Sequence, residues 1–173
     1  METRELEANL RNLDQSISEI RERIQDIQES MRECAQQAEE LNAEADSIFS
    51  MTNGVEDETQ RSSLINQAVS LMNQADAYRA QAEAYRSQIS ELASNLGSYI
   101  PEYQRYITEG QTNITNLRSA AGKLSGVAGS KYGAGKIREA LGAVNQRITY
   151  NQNLVSGCQK RINWINQVIH SCS

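Results

Sequence analysis

The chain has 173 residues, of which 39% are apolar, 5% aromatic and 23% charged, and its formal net charge is −5. This length is typical of one domain, and the few aromatic residues and single proline favour long packed helices over a mixed globule. No stretch approaches the roughly 18 apolar residues of a membrane span, and the charged first residues are unlike those of a cleaved signal peptide. We therefore expect a cytoplasmic protein that, if exported, leaves by a route without a cleaved signal peptide.

The first predicted helix covers residues 3–49. Its apolar residues alternate in steps of three and four, the heptad spacing of a helix that packs along one seam. Such a helix is about 70 Å long, too long for the wall of a compact globule. The seam residues are Leu6, Leu10, Leu13, Ile17, Ile20, Ile24, Ile27, Met31, Cys34, Ala38, Leu41, Ala45 and Ile48.

The second predicted helix covers residues 57–99. Asn53 and Gly54 before it are expected to end the first helix in the left-handed conformation, and the three acids at 56–58 suit the start of a helix. Because the turn is short, the two helices should run antiparallel. The second seam contains Leu64, Ala68, Leu71, Ala75, Tyr78, Ala82, Tyr85, Ile89, Leu92, Leu96 and Tyr99.

The third predicted helix covers residues 102–125. Pro101 disturbs the chain before it, either as a kink or as a short break and restart. Tyrosines at seam spacing cross this point, which favours a place in the core. A groove for a peptide or an aromatic ligand is the alternative. These residues are Tyr78, Tyr85, Tyr99, Tyr103 and Tyr106.

The stretch LSGVAGSKYGAGK, residues 124–136, is rich in glycine and lysine. A phosphate-binding loop would need a glycine where Ser130 stands and a hydroxyl residue where Ile137 stands. The stretch therefore indicates a hairpin between two helices. The fourth predicted helix follows at 136–171, and Asn151 is the one polar residue of its seam, of the kind that specifies register at a cost in stability.

These patterns predict an all-α fold, an elongated antiparallel coiled-coil bundle of three to four long helices, with residues 1–173 in one domain. Charge is divided unevenly along it, with a net −8 over residues 1–50, −3 over 51–100 and +6 over 101–173. The acidic and basic parts could pair within one bundle or between two copies. The alternative is that these charges only solvate the helix faces. Dense basic stripes with stacking aromatics are missing, so nucleic-acid binding is not favoured.

The sequence offers no candidate catalytic residue, cofactor site or metal site. Its one histidine, His170, lies two residues from Cys172, and side chains two apart on a helix point to different faces. The odd cysteine count is typical of a reducing compartment. Cys34, Cys158 and Cys172 lie on seams, which favours buried thiols, with a Cys34 to Cys158 disulfide as the alternative.

Trp164 and Val168 form a second apolar pair beside the fourth seam. Two interpretations are open. The pair could widen the core of a four-helix packing, or it could contact a partner helix, since tryptophan is enriched in binding hot spots.

Leu124-Ser125-Gly126 at a predicted turn between helices resembles the LXG and WXG helical proteins of type VII secretion and their small partner proteins. In that family a leucine or tryptophan, any residue, then glycine marks the bend. The resemblance implies a non-enzymatic adaptor that binds another helical protein. The family's export signal, an acid four residues after a tyrosine, is missing after Tyr99, Tyr103 and Tyr106, which implies co-secretion with a partner.

The predicted partner-binding residues are Leu124, Gly126, Trp164 and Val168. The partner is expected to be a protein bound through helix faces, or a second copy of the chain. The alternative function is a self-assembling structural coiled coil, of the phage or cell-scaffold type. In that case the acidic and basic ends meet across copies.

Overall fold

A computed structural model describes residues 3–127 and 133–172, and within these ranges it contains four α-helices and no β-strand. They are α1 (Thr3–Thr52), α2 (Glu58–Gly97), α3 (Ile100–Val127) and α4 (Ala134–Ser171). The all-α helical bundle is confirmed. The antiparallel coiled coil and the single domain over 1–173 stay predictions, and the centre of the predicted hairpin, residues 128–132, lies outside the described residues.

The shielded side of each helix coincides with its predicted seam. Every residue named above for the seams of the first and second helices is buried or half-buried, and Asn151 of the fourth seam is buried. Ala45, Ala68 and Ala75 have no exposed surface at all. Heptad spacing therefore identified the buried faces correctly, because residues three and four apart lie on the same face of a helix.

The chain divides into two compact units. The first contains the described residues up to Ser94 together with Cys172. Its core includes a cluster of Ala45 and Ile48 from α1 with Ala68 from α2, against which Phe49, Leu64 and Leu71 pack. The alanines at the centre of this cluster let the two helix backbones approach closely. The second unit contains the described residues of Asn95–Ser171.

The turn between α1 and α2 differs from the prediction. Among the described residues only Gly133 has a positive φ, 88°, so the expected left-handed ending at Asn53 and Gly54 is wrong. Instead α1 continues to Thr52 and closes with a tightened turn, in which the Gly54 amide donates to the Met51 carbonyl at 3.3 Å. Bonds of this i to i+3 type satisfy the last carbonyls without a left-handed residue.

The start of α2 is capped by Asp57. Its carboxylate accepts a hydrogen bond from the Gln60 amide at 3.0 Å, which satisfies one of the donors that a helix start leaves open. Arg61 donates from its Nε to the Val55 carbonyl at 3.1 Å and so holds the preceding turn. The acids at 56–58 thus include a true cap residue.

A short break and restart separates α2 from α3. The amides of Ser98 and Tyr99 donate to the carbonyls of Asn95 and Leu96 at 3.1 and 3.2 Å, and α3 begins at Ile100. Pro101 lies in the first turn of α3, where a missing amide donor costs nothing. Of the two possibilities predicted at Pro101, a kink or a short break and restart, the break and restart is observed.

The tyrosine stripe is core where it enters α3. Tyr103 is 0% and Tyr106 1% exposed, whereas the stripe's other tyrosines are half-buried. Arg105 lies over the Tyr106 ring, 5.1 Å from its centroid, and pairs with Glu102 at 3.1 Å. The Glu102 carboxylate raises the pKa of Arg105.

All three cysteines are thiols and no disulfide joins them. Cys34 and Cys158 are buried and Cys172 is half-buried. This agrees with the interpretation of buried thiols. The alternative, a Cys34 to Cys158 disulfide, is not observed.

Candidate functional site

The candidate site is built on the pairing of α3 with α4 inside the second unit. Gly110 of α3 lies against Leu154 and Val155 of α4, while Asn113, three residues later in α3, bonds Asn151, earlier in α4. As the residue numbers increase along α3, the numbers of the residues that they contact in α4 decrease. The two helices of this pair therefore run antiparallel.

Gly110 marks a close approach of the two helices. A Cβ atom at this position would lie 2.7 Å from Cγ2 of Val155 and 3.3 Å from Cδ2 of Leu154. Only a residue without a side chain fits here. Gly110 thus allows α3 to come close to α4 at this point.

A polar contact in the seam fixes the alignment of the pair. The side-chain Nδ2 of Asn113 donates to Oδ1 of Asn151 at 3.3 Å, and Nδ2 of Asn151 donates to the Arg147 carbonyl at 2.8 Å. Asn151 is 8% exposed, so shifting α3 along α4 would leave its buried Oδ1 without the Asn113 hydrogen bond, while its Nδ2 keeps the Arg147 carbonyl. The register role predicted for Asn151 agrees with this geometry.

A groove of about 590 Å³ follows one side of the α3–α4 contact. Its apolar floor is made by Ile107, Ile114 and Val155, which are all half-buried. Its walls carry amide and hydroxyl side chains. These are Gln111, Thr115, Gln152, Ser156, Gln159 and Asn163. Lining residues recur every three or four positions on each helix, so one face of α3 and one face of α4 form the groove.

The charged residues of the groove are Arg118 and Lys160, and no carboxylate lines it among the residues the structure describes. Because α3 and α4 run antiparallel, Arg118 lies toward the C-terminal end of α3 and Lys160 toward its N-terminal end. The groove therefore has an apolar middle and a cation near each end. Chemically this suits the apolar face of a helix that carries acidic residues on its flanks.

The predicted partner-binding residues lie outside this groove. Leu124 and Gly126 are in the last turns of α3, and Trp164 and Val168 are near the end of α4, at the other end of the antiparallel pair. In the antiparallel pair, Trp164 is level with about Ile100 at the start of α3. Ile100 and Leu124 are about 36 Å apart along α3, so the two sets of residues are far apart. The structure does not bring them together in one site.

Leu124 is half-buried, whereas Gly126 is exposed and a Cβ there would meet nothing within 4 Å. Both residues lie within the helix, which continues to Val127, and not at a bend. Neither close packing nor backbone conformation thus requires a glycine at 126. Trp164 and Val168 are half-buried beside the buried Ile162 and Ile165.

Arg118 and Lys160 are not among the partner-binding residues predicted from the sequence. A signal was present in the charge pattern. No acid occurs between Glu109 and Glu139, nor after Glu139. The stretches 110–118 of α3 and 152–163 of α4, which line most of the groove, therefore carry no negative charge.

Among the described residues, no group of three or more His, Cys, Asp or Glu side chains is placed to hold a metal ion. None of the helices in the described ranges has a stretch long and apolar enough to cross a membrane.

Comparison of the chain with known protein families, with curated proteins and with solved structures gives no match.

Proposed function

We propose that the chain is a non-enzymatic helical interaction protein, and that the α3–α4 groove binds an amphipathic helix of a protein partner. The single observation that carries this proposal is the groove itself, with its apolar floor and a cation near each end. Helix-in-groove binding uses apolar side chains at helical spacing as anchors and polar contacts at the rim for orientation.

The chemistry of the groove supports binding and offers little to catalysis. Its described lining is made of amides, hydroxyls, three aliphatic residues and two cations, without a histidine, cysteine or carboxylate. Acid–base and nucleophilic catalysis depend on those missing side chains or on an activated hydroxyl. We therefore propose no reaction and no cofactor for this site.

The proposal includes a biological setting, taken from the resemblance of Leu124-Ser125-Gly126. In this setting the chain is an adaptor of type VII secretion that binds a larger helical protein and is co-exported with it. Trp164 and Val168 would then form a secondary contact near the end of α4.

Photo-crosslinking from inside the groove tests the proposal. A photoreactive residue replaces Thr115, which lines the groove, and the full chain is irradiated in lysate of its source cells. We expect one crosslinked helical protein. Its crosslinked peptide should carry apolar residues three and four apart with acids beside them.

Thr112 offers a matched control on the same helix. Thr112 and Thr115 are both exposed and each donates its hydroxyl to the carbonyl four residues earlier, at 2.9 and 3.1 Å, but Thr112 does not line the groove. The Thr112 variant should give no crosslink to the same peptide. Equal crosslinking from both positions, or none from Thr115, contradicts the proposal.

A further inference from the structure

A second apolar feature lies on α2, in the first unit. Ile65, Val69 and Met72 are 38%, 43% and 42% exposed, and they follow one another in steps of four and three. Single exposed apolar residues are ordinary on protein surfaces. Three in succession at heptad spacing form a seam of their own, the pattern by which a helix packs on a further helix. We call these three residues the α2 stripe.

The α2 stripe has a carboxylate beyond each end. Glu58 lies seven residues before Ile65 and Asp76 four residues after Met72, so both continue the heptad spacing of the stripe. Both are exposed. Asp76 already pairs with Arg79 at 2.8 Å, but an ion pair this exposed contributes little and can be exchanged.

The stripe and the groove are complementary. The stripe presents three apolar side chains between two acids, while the exposed cations near the same ends are held elsewhere, Arg61 at the Val55 carbonyl and Arg79 at Asp76. The groove presents three apolar side chains between two cations. Along the helix axes, Glu58 and Asp76 are about 27 Å apart and Arg118 and Lys160 about 20 Å apart. The long stems of arginine and lysine span the difference. Because both ends carry the same sign, the charges match in either direction of the bound helix.

We propose that the α2 stripe of one copy binds in the α3–α4 groove of a second copy. Ile65, Val69 and Met72 then cover the groove floor, and Glu58 and Asp76 face its two cations. The proposal rests on the groove being a helix-binding site and names its occupant. Since the stripe and the groove are different surfaces, the contact is heterologous, and repeating it builds rings or open chains of copies.

Two variants of the full chain separate the two halves of this contact. In the first, Val69→Glu places a charge in the middle of the stripe and leaves the groove intact. In the second, Arg118→Glu with Lys160→Glu reverses both cations of the groove and leaves the stripe intact. All substituted residues are exposed, so both variants should fold, which circular dichroism checks.

Mass is measured by light scattering over a range of protein concentrations and salt. The wild-type mass should rise with concentration and fall with added salt, because the ionic contacts are screened. Each variant alone should associate at least about tenfold more weakly, since an unpaired charge is forced against an apolar or like-charged surface. An equimolar mixture should form a one-to-one dimer and stop there, because only one working stripe and one working groove remain.

A wild-type chain that stays monomeric at about 1 mM, the weak end of measurable affinity, overturns the inference. So does association that both variants retain, or a mixture that fails to form the dimer. The crosslink from Thr115 distinguishes this failure from that of the proposed function. A monomeric chain whose Thr115 crosslinks a different protein loses only the inference, whereas a monomeric chain without any crosslink loses both.

Discussion

Gly110 of α3 faces Val155 of α4 so closely that a Cβ atom on Gly110 would lie 2.7 Å from Cγ2 of the valine. Valine is held to one rotamer in a helix, so its methyl group cannot swing away. The α3–α4 pair therefore depends on a missing side chain. Val155 also lines the groove, so this short contact lies directly beside it.

Replacing Gly110 by alanine should lower the free energy of unfolding by about 1 kcal/mol. Overpacking costs about 1–3 kcal/mol, while alanine's better helix propensity returns up to about 1 kcal/mol. Urea unfolding followed by the fluorescence of Trp164 measures this, because the chain's one tryptophan lies in the same unit.

Gly122 of the same helix is the control, since a Cβ there meets nothing within 4 Å. Gly122→Ala should raise the free energy of unfolding by about 1 kcal/mol through helix propensity alone. Two changes of the same sign would contradict the close approach at Gly110.

Replacing Asn151 by leucine should raise the free energy of unfolding by about 1 kcal/mol, and it should also broaden the distribution of masses. A buried leucine gains more from burial than the asparagine gains from its hydrogen bonds, and the exposed Asn113 amide can turn to water. What is lost is the polar contact that specifies one alignment of α3 on α4. Urea unfolding and light scattering measure the two effects. A less stable variant with unchanged mass would show that the asparagine pair acts chiefly as a stabilising contact.

Heptad spacing predicted the helices well because the apolar residues that indicate a helix are the same residues that form its buried face. The end of α1 shows the limit of this reasoning. Asn53 and Gly54 can adopt a left-handed conformation, but α1 closes with tightened hydrogen bonds to Met51 and Thr52. Several endings satisfy the last carbonyls about equally well, and local sequence does not choose among them.

The groove could not be predicted in the same way. It depends on how far α3 and α4 are rotated and how closely they approach, and Gly110 allows that approach. In the sequence this glycine is only a residue of low helix propensity within a predicted helix. Trp164 attracted attention because it lies off its seam, whereas Arg118 and Lys160 look like ordinary surface cations until the helices are paired.

Removing the cap of α2 should destabilise the first unit. Asp57→Ala deletes the carboxylate that accepts from the Gln60 amide, and loss of such a cap typically costs about 1 kcal/mol. Urea unfolding followed by circular dichroism at 222 nm measures it. Glu56→Ala removes one negative charge from the same helix start, so it should cost no more than a few tenths of a kcal/mol. Equal losses would mean that charge, and not the cap, stabilises this end.

The three thiols should react with iodoacetamide in the order of their exposure. Cys172 is half-buried, Cys34 is 8% and Cys158 1% exposed. Buried thiols react only after local opening, so Cys172 should be alkylated at least about tenfold faster than Cys158 in the native protein. Mass spectrometry of timed digests gives the three rates. In urea the rates should become similar, and native rates that are already equal would contradict the burial of Cys34 and Cys158.

The last prediction separates the two interpretations of Trp164. It lies half-buried in α4 next to Ile165, which has no exposed surface, so we expect it to widen the core. Trp164→Ala should then lower the free energy of unfolding by about 2 kcal/mol, the value of a large side chain that is partly removed from water. Circular dichroism must follow the unfolding, since the variant has no tryptophan.

Gln167→Ala is the control for Trp164, because Gln167 is an exposed residue of the same helix turn and should change the stability by less than about 0.5 kcal/mol. Crosslinking through Thr115 should persist in the Trp164→Ala protein, because Trp164 does not line the groove. If stability is unchanged but the crosslinked partner disappears, Trp164 belongs to the binding surface and the site extends beyond the groove. Loss of stability with the crosslink retained assigns Trp164 to the core and the binding to the α3–α4 groove.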